Sequence, residues 1–234
     1  MRLFIKIKYD GSKFCGFQRQ KNVRSVQKEI EEVLSHYYDM DIKIKGAGRT
    51  DAGVHALGQT ATFDVPYFKR DLKTYMNKNL NNIKVKKVSI VSDDFHARFS
   101  AKGKIYLYKI KLNTKGKDPY YLKVKNVDIK KMKMVSKLFI GEHDFKNFVS
   151  GSRDDYKTVI YNIKFYRFFN TLIIKFVGAG FFRYMVRNLV GAMLDVGRGK
   201  KTIGYVKDML LYPDEEKQLS TVLPNGLYLY KVLY

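Results

Sequence analysis

The sequence predicts a mixed α/β fold of two subdomains. Segments in which apolar and polar residues alternate, as in strands, are interspersed with segments of helical period in both halves of the 234 residues. No stretch rich in Pro, Ser or Gly separates the halves, and we expect their boundary near residues 101–104. The pattern therefore predicts an N-terminal subdomain of residues 1–103 and a C-terminal subdomain of residues 104–234.

In the first half, residues 3–9 alternate lysine with apolar residues, which predicts a strand, and a turn at residues 10–12 ends it. Ser25 is a residue type that caps helices, and the apolar residues after it follow the helical period. The further elements that we predict in this half are strands 41–45, 59–65 and 85–91 and helix 71–80.

In the second half, the clearest element is an apolar helix that starts near residue 181 and ends at Gly197. Arg183 and Arg187 are four residues apart, so we expect them on one side of this helix. They could simply be solvated charges on the exposed side of the helix. Cations are disfavoured near a helix N-terminus, however, so the alternative is an acidic partner, for which Asp51 is a candidate. The further elements predicted here are strands 104–112, 159–166, 171–177 and 227–232 and helix 129–139.

The charge of the chain is its most unusual property. It has 45 Lys and Arg residues against 22 Asp and Glu residues, a formal net charge of +23. Such an excess indicates a polyanionic partner, because neutralising phosphates releases counterions. Part of the lysine content is also typical of AT-rich genomes. A membrane-surface role would need a basic amphipathic helix, which the sequence does not show. Nucleic acid is the partner that the charge favours.

The sequence also makes several classes of protein improbable. Cys15 is the only cysteine, which excludes an intrachain disulfide and is typical of a reducing cytoplasm. Four scattered histidines show no metal-binding spacing, so we expect no metal. No apolar run approaches the roughly 18 residues that cross a bilayer, so we expect no membrane span.

The segment most informative about chemistry is residues 46–59, which contains four glycines and a single carboxylate, that of Asp51. Arg49 should keep this carboxylate ionised, and an ionised carboxylate on a tight loop can act as a nucleophile or a base. The alternative is that Asp51 only caps a turn or pairs with Arg49. The segment lacks the glycine patterns of nucleotide-binding loops.

Six short motifs extend this observation along the chain. They are GAGRTDAGVHA at 46–56, FHARFSA at 95–101, YLY at 106–108, GEHDF at 141–145, FRYMVRN at 182–188 and GLYL at 226–229. In this order they resemble the motifs of the TruA family of tRNA pseudouridine synthases. The resemblance implies two ferredoxin-like (RRM-like) α/β subdomains whose sheets join around a central basic cleft. Cys15 and residues 223–225 lie where the sequence departs modestly from the usual family pattern.

The resemblance also implies roles for individual residues. Asp51 matches the essential aspartate, and Arg187 matches the basic residue that pairs with it. Tyr106 matches the tyrosine that packs against the target base, Arg49 the arginine that helps to displace the flipped nucleotide, and Leu227 a residue that lines the pocket. The implied protein is a cytoplasmic homodimer that binds the tRNA anticodon arm and converts uridine to pseudouridine at positions 38–40 without cofactor or metal.

The chemistry leaves three routes open for Asp51. Its carboxylate could attack the ribose C1′, add to uracil C6, or remove a ribose proton on the way to a glycal. A paired uridine must first flip out of its stem, at a cost of a few kcal/mol. Two other functions compete with this one: an RNA-binding module or chaperone that uses only the basic surface, and a hydrolase with a carboxylate nucleophile. The hydrolase lacks the second acid that glycosidases use.

Overall fold

The computed structural model describes residues 1–213 and 220–234. The chain forms two compact units, one of residues Met1–Lys102 with Tyr228–Tyr234 and one of residues Gly103–Leu227. Each unit contains a β-sheet and α-helices, which confirms the predicted α/β class. The last seven residues, which we expected in the C-terminal subdomain 104–234, belong instead to the first unit.

The first unit has a sheet in the strand order β4–β1–β3–β10. β1 is antiparallel to both of its neighbours, and Tyr228 and Leu229 pair in parallel with His55 and Ala56. This pairing is the reason that the end of the chain joins the first unit. The elements are β1 (Arg2–Tyr9), α1 (Val26–Tyr38), β2 (Lys45–Gly46), β3 (His55–Asp64), α2 (Leu72–Asn79), β4 (Ile83–Val91) and β10 (Leu227–Leu233).

The predicted strand 41–45 is wrong, because only Lys45–Gly46 is a strand. Ile42 and Ile44 are buried, which produces the alternating pattern. Their backbone N–H groups, however, donate to side chains of α1, to the Ser35 hydroxyl at 2.9 Å and to the Glu31 carboxylate at 3.1 Å. A buried segment whose donors are satisfied by a helix does not need a strand partner.

The second unit has an antiparallel sheet in the order β5–β9–β8–β7, with β6 parallel to β5. The predicted strands and helices are present here, and the sequence analysis missed β6, β7 and α5. The elements are β5 (Gly103–Leu112), β6 (Leu122–Val124), α3 (Ile129–Leu138), β7 (Gly141–Asp144), β8 (Lys157–Phe168), β9 (Thr171–Gly178), α4 (Met185–Gly197) and α5 (Ile203–Leu211).

The apolar helix α4 begins at Met185, four residues later than predicted. Tyr184 has φ +62°, a left-handed conformation that cannot continue into a helix on its N-terminal side. Arg183 therefore precedes α4, and the prediction that it shares a helix face with Arg187 is wrong. Every residue of α4 except Arg187 is buried, so this helix is the centre of the second unit.

Gly191 in the middle of α4 should be intolerant of substitution. A Cβ atom there would lie 1.6 Å from the Ser220 carbonyl oxygen, whereas a Cβ on Gly204 of α5 would meet nothing closer than 3.7 Å. We expect Gly191→Ala to lower the free energy of unfolding by about 2–3 kcal/mol. The control Gly204→Ala should raise it by up to about 1 kcal/mol, because alanine favours helices. Urea denaturation measures the free energy of unfolding of both variants. Equal effects would contradict the close approach of the Ser220 carbonyl oxygen to Gly191.

Candidate active site

The loop that carries Asp51 connects β2 to β3 in the first unit. Thr50 is buried, Asp51 is half-buried and Arg49 is exposed. The Val54 N–H donates to the Asp51 carbonyl oxygen at 3.1 Å, and Gly53 has φ +78°, so the chain turns sharply directly after Asp51. The positive φ explains the glycine at this position.

Residues 14–17, between β1 and α1, hold this loop through its backbone. The Phe17 N–H donates to the Thr50 carbonyl oxygen at 3.0 Å, and the Gly53 N–H donates to the Phe14 carbonyl oxygen at 3.4 Å. Gly16, with φ +96°, lies against the Thr50 carbonyl, where a Cβ would be 2.9 Å from the oxygen. These contacts fix the backbone on both sides of Asp51.

Two buried side chains of β1 and β3 complete the support of the loop. The Tyr9 hydroxyl and the Thr50 hydroxyl share a hydrogen bond of 2.8 Å, and burial raises the pKa of Tyr9. The Gln59 amide donates from Nε2 to the Gly48 carbonyl oxygen at 2.8 Å. The sequence analysis missed both Tyr9 and Gln59. For Gln59, a polar side chain on a predicted strand next to the motif was the available signal, whereas Tyr9 lies far from the motif in the sequence.

His55, the first residue of β3, connects the end of the Asp51 loop to residues 10 and 11. It is buried, its Nδ1 accepts the Gly11 N–H at 3.1 Å, and its ring stacks on Tyr228 at 4.6 Å between centroids. A carboxylate oxygen of Asp10 lies 3.3 Å from Nδ1. Gly11 packs against the loop as well, since a Cβ there would be 2.0 Å from the Val54 carbonyl oxygen.

The other predicted site residues lie in or at the end of the second unit. Tyr106 on β5 is buried and packs edge-to-face on Phe181 at 5.3 Å. Leu227 is buried at the start of β10. Arg187 donates from Nε to the Val222 carbonyl oxygen at 2.8 Å, and its guanidinium carbon lies 4.3 Å from the centre of the Tyr184 ring.

The second unit also holds a buried tyrosine that the sequence analysis did not single out. The Tyr108 hydroxyl donates to the Leu223 carbonyl oxygen at 2.6 Å, and burial raises its pKa. Gly226 packs beside it, since a Cβ there would lie 2.6 Å from the Lys109 carbonyl oxygen. The segment that leads into Leu227 is therefore closely packed against β5.

A model of the tRNA pseudouridine synthase family matches residues 5–100 and 135–234 of this chain. The chain belongs to this family. Arg49, Asp51, Arg187 and Leu227 lie in the matched segments, whereas Tyr106 lies between them.

Similar proteins over the full length support the family membership. Three relatives named tRNA pseudouridine synthase A come from Dictyoglomus thermophilum, Thermosipho melanesiensis and Listeria monocytogenes. The first is 42% identical over 241 residues and covers 98% of both chains. The second is 40% identical over 246 residues, 100% of this chain and 99% of the relative. The third is 41% identical over 244 residues and 97% of both chains.

A solved structure, "Structure of H/ACA RNP bound to a substrate RNA containing 2'-deoxyuridine", shows a lower similarity. It is 15% identical, with a TM-score of 0.36 over 73% of this chain and 39% of that chain.

The described part of the chain was compared with the features of metal sites and of membrane-spanning helices. Within residues 1–213 and 220–234, no group of three His, Cys, Asp or Glu side chains is arranged to hold a metal ion. Among the helices in those ranges, none has the length and apolar character to cross a membrane.

Substitution of Gly16 should measure how closely residues 14–17 press on the Asp51 loop. Gly151 is the matched control, because it also has a positive φ, +89°, but a Cβ there would have no neighbour within 4 Å. We expect Gly151→Ala to cost about 1 kcal/mol of unfolding free energy from backbone strain alone. Gly16→Ala should cost at least about 1 kcal/mol more, because its Cβ collides with a backbone oxygen. Equal losses in urea denaturation would show that the loop has room to move.

Proposed function

We propose that this tRNA pseudouridine synthase converts uridine to pseudouridine at positions 38–40 of the tRNA anticodon arm, with Asp51 as the essential carboxylate. The observation that carries the proposal is the half-buried Asp51, on a loop whose backbone is fixed on both sides, in a chain that matches the family over its length. A catalytic group held in this way is positioned before the substrate binds.

The reaction is an isomerisation that conserves atoms and electrons. The bond between uracil N1 and ribose C1′ breaks, the uracil rotates, and a bond forms between C5 and C1′. The proton lost from C5 is balanced by the proton gained at N1, so the proposed chemistry needs no oxidant, reductant or second substrate. Asp51 acts by one of three routes: attack at C1′, addition at C6, or removal of a ribose proton.

Each of the remaining site residues has a proposed role that suits its surroundings. Arg187 supplies a positive charge that orients the active-site carboxylate, and it is the one residue of α4 that is not buried. Tyr106 seats the uracil ring with a phenol already ordered by Phe181. Leu227 lines the base pocket. Arg49, which is exposed, helps to displace the flipped nucleotide from its stem.

The charge of the protein supports a tRNA substrate. With 45 cationic against 22 anionic residues, the surface offers many contacts to phosphates. Flipping a base costs a few kcal/mol of stacking and pairing. Binding energy from contacts remote from the reacting uridine offsets that cost. The basic surface thus contributes directly to access to the target base.

We also propose that the enzyme is a homodimer. One face of the second unit's sheet carries the buried side chains of β5 and β9, and the opposite face carries half-buried and exposed apolar residues interspersed with Lys109, Lys164 and Lys175. A second copy of the chain would cover them. This face includes Leu107, Tyr166, Phe168, Ile173 and Val177. Light scattering of the pure protein should give twice the mass of one chain, and a single-chain mass at micromolar concentration would contradict the dimer.

Asp51→Asn tests the catalytic role directly. We expect the variant to form no pseudouridine in unmodified tRNA and to keep its tRNA Kd within about threefold, because phosphate contacts dominate affinity. The matched control is Asp41→Asn, since Asp41 is exposed and its Lys43 ion pair is a surface contact. Pseudouridine mapping of the product RNA should show wild-type modification with Asp41→Asn.

Two outcomes would contradict the proposal. Full activity of Asp51→Asn would remove the aspartate from the chemistry. Tight, salt-sensitive tRNA binding by the wild-type protein without any new pseudouridine would favour an RNA-binding protein that uses only its basic surface.

A further inference from the structure

The first two residues of a short segment, residues 220–223, are hydrogen-bonded to polar side chains of α4. We call this segment the strap. The Ser220 N–H and hydroxyl both donate to the Asp195 carboxylate, at 3.3 and 3.0 Å. The Thr221 hydroxyl donates to Asn188 Oδ1 at 2.7 Å.

The second half of the strap contacts the candidate site through its carbonyl groups. The Val222 carbonyl oxygen accepts from Nε of Arg187, and the Leu223 carbonyl oxygen accepts from the Tyr108 hydroxyl. The same four residues thus connect two buried polar groups of α4 to the guanidinium of Arg187.

The spacing of residues on α4 explains how an extended segment can follow the helix. Asn188, Gly191 and Asp195 recur at three and four residues, so they form one row on the helix surface. Gly191 lies at the middle of this row, and its missing side chain leaves room for the Ser220 carbonyl. The row is therefore shaped to receive the strap.

Without the strap, the polar side chains of this row would be buried without the hydrogen-bond partners that it provides, which would destabilise the fold. Asn188 and Asp195 are 6% and 4% exposed on a helix whose other buried residues are apolar or glycine. A buried amide or carboxylate that lacks hydrogen-bond partners is strongly unfavourable. The Asn188 amide has a second partner, since Nδ2 donates to the Phe148 carbonyl oxygen at 2.9 Å. The orientation of Asn188 is thus fixed from both ends of its amide.

Arg187 is restrained by the strap on one side and by an aromatic ring on the other. Its Nε is bound to the Val222 carbonyl, and its guanidinium carbon lies over the Tyr184 ring. A hydrogen bond at Nε together with a ring at the guanidinium face defines the plane of the group. A flexible arginine side chain without these contacts would sample many orientations.

We propose that Asn188, Asp195 and Thr221 are positioning residues, which orient Arg187 for the reaction through the strap. This inference rests on the proposed function, because it takes Arg187 as the basic residue of the active site. We expect the Val222 carbonyl to shift when Ser220 or Thr221 loses its partner on α4. Loosening the strap should then reduce the rate of the chemical step and leave tRNA binding intact.

Thr221→Val tests the inference, because it removes the hydroxyl and keeps the shape of the side chain. We expect kcat for pseudouridine formation to fall roughly tenfold with KM for tRNA unchanged, as small misplacements of a catalytic group reduce turnover. Thr221→Ser, which keeps the hydroxyl, should restore kcat. Thr202→Val is the matched control, since it removes the hydroxyl that caps α5 and leaves the strap untouched.

A second readout does not depend on activity. The Arg187 Nε–H signal in NMR spectra reports its hydrogen bond to Val222 through its exchange with water. We expect exchange to be roughly tenfold faster in Thr221→Val, consistent with the net contribution of one hydrogen bond, and unchanged in Thr202→Val. If Thr221→Val does not fold, Ser220→Ala, which removes one hydrogen bond to Asp195, serves in its place.

The outcomes distinguish a failure of the positioning role of the strap from a failure of the proposed function. If the Arg187 Nε–H exchanges with water at the same rate in Thr221→Val as in the wild-type protein, the inference is overturned, whatever the activity. Wild-type kcat in Thr221→Val, with Arg187→Gln inactive, would overturn it while the role of Arg187 stands. Full activity of Arg187→Gln, which removes the positive charge, would instead contradict the role of Arg187, and altered exchange in Thr221→Val would then leave the strap as a structural device.

Discussion

The placement of Asp51 depends on hydrogen bonds between two loops of the first unit. A glycine-rich turn has too much conformational freedom to hold a carboxylate by itself. Residues 14–17 remove that freedom, because they bond the carbonyl of Thr50 and the N–H of Gly53, one residue before and two residues after Asp51. Gly11 and Gly16 permit this approach, since any side chain there would collide with the backbone of the loop.

The second unit uses the same principle with a helix in place of a loop. Arg187 lies on a buried helix and is oriented by a backbone carbonyl of a neighbouring segment, which in turn is bound by buried polar side chains. In both units a flexible functional group is restrained by main-chain hydrogen bonds, and glycine allows the two chains to come close. Buried polar groups are costly when unpaired, so they favour one arrangement of these segments over others.

The surface and the interior contribute differently to the proposed activity. Several cations are used in ion pairs that hold the fold, such as Arg24 with Glu29 and Arg19 with the buried Glu31. Cationic residues outnumber acidic residues by 23, so an excess of positive charge remains for a polyanion. In the proposed function, affinity for RNA is distributed over the surface, whereas the chemistry depends on a few side chains whose positions the interior determines.

The sequence by itself determined the α/β class, most strands and helices, and the motif around Asp51. The spacing of apolar residues indicates which side chains are buried, and glycine indicates tight turns. The sequence did not determine which groups form hydrogen bonds with the backbone N–H and carbonyl groups. Residues 41–45 alternate like a strand but bond to α1, and Tyr184 delays the start of α4, which removes Arg183 from the helix. The supports of the candidate site, Tyr9, Gln59 and the strap, were decided only by the tertiary structure. Their partners lie at least 11 residues away in the sequence, and a local pattern can mark a buried polar residue without identifying its partner.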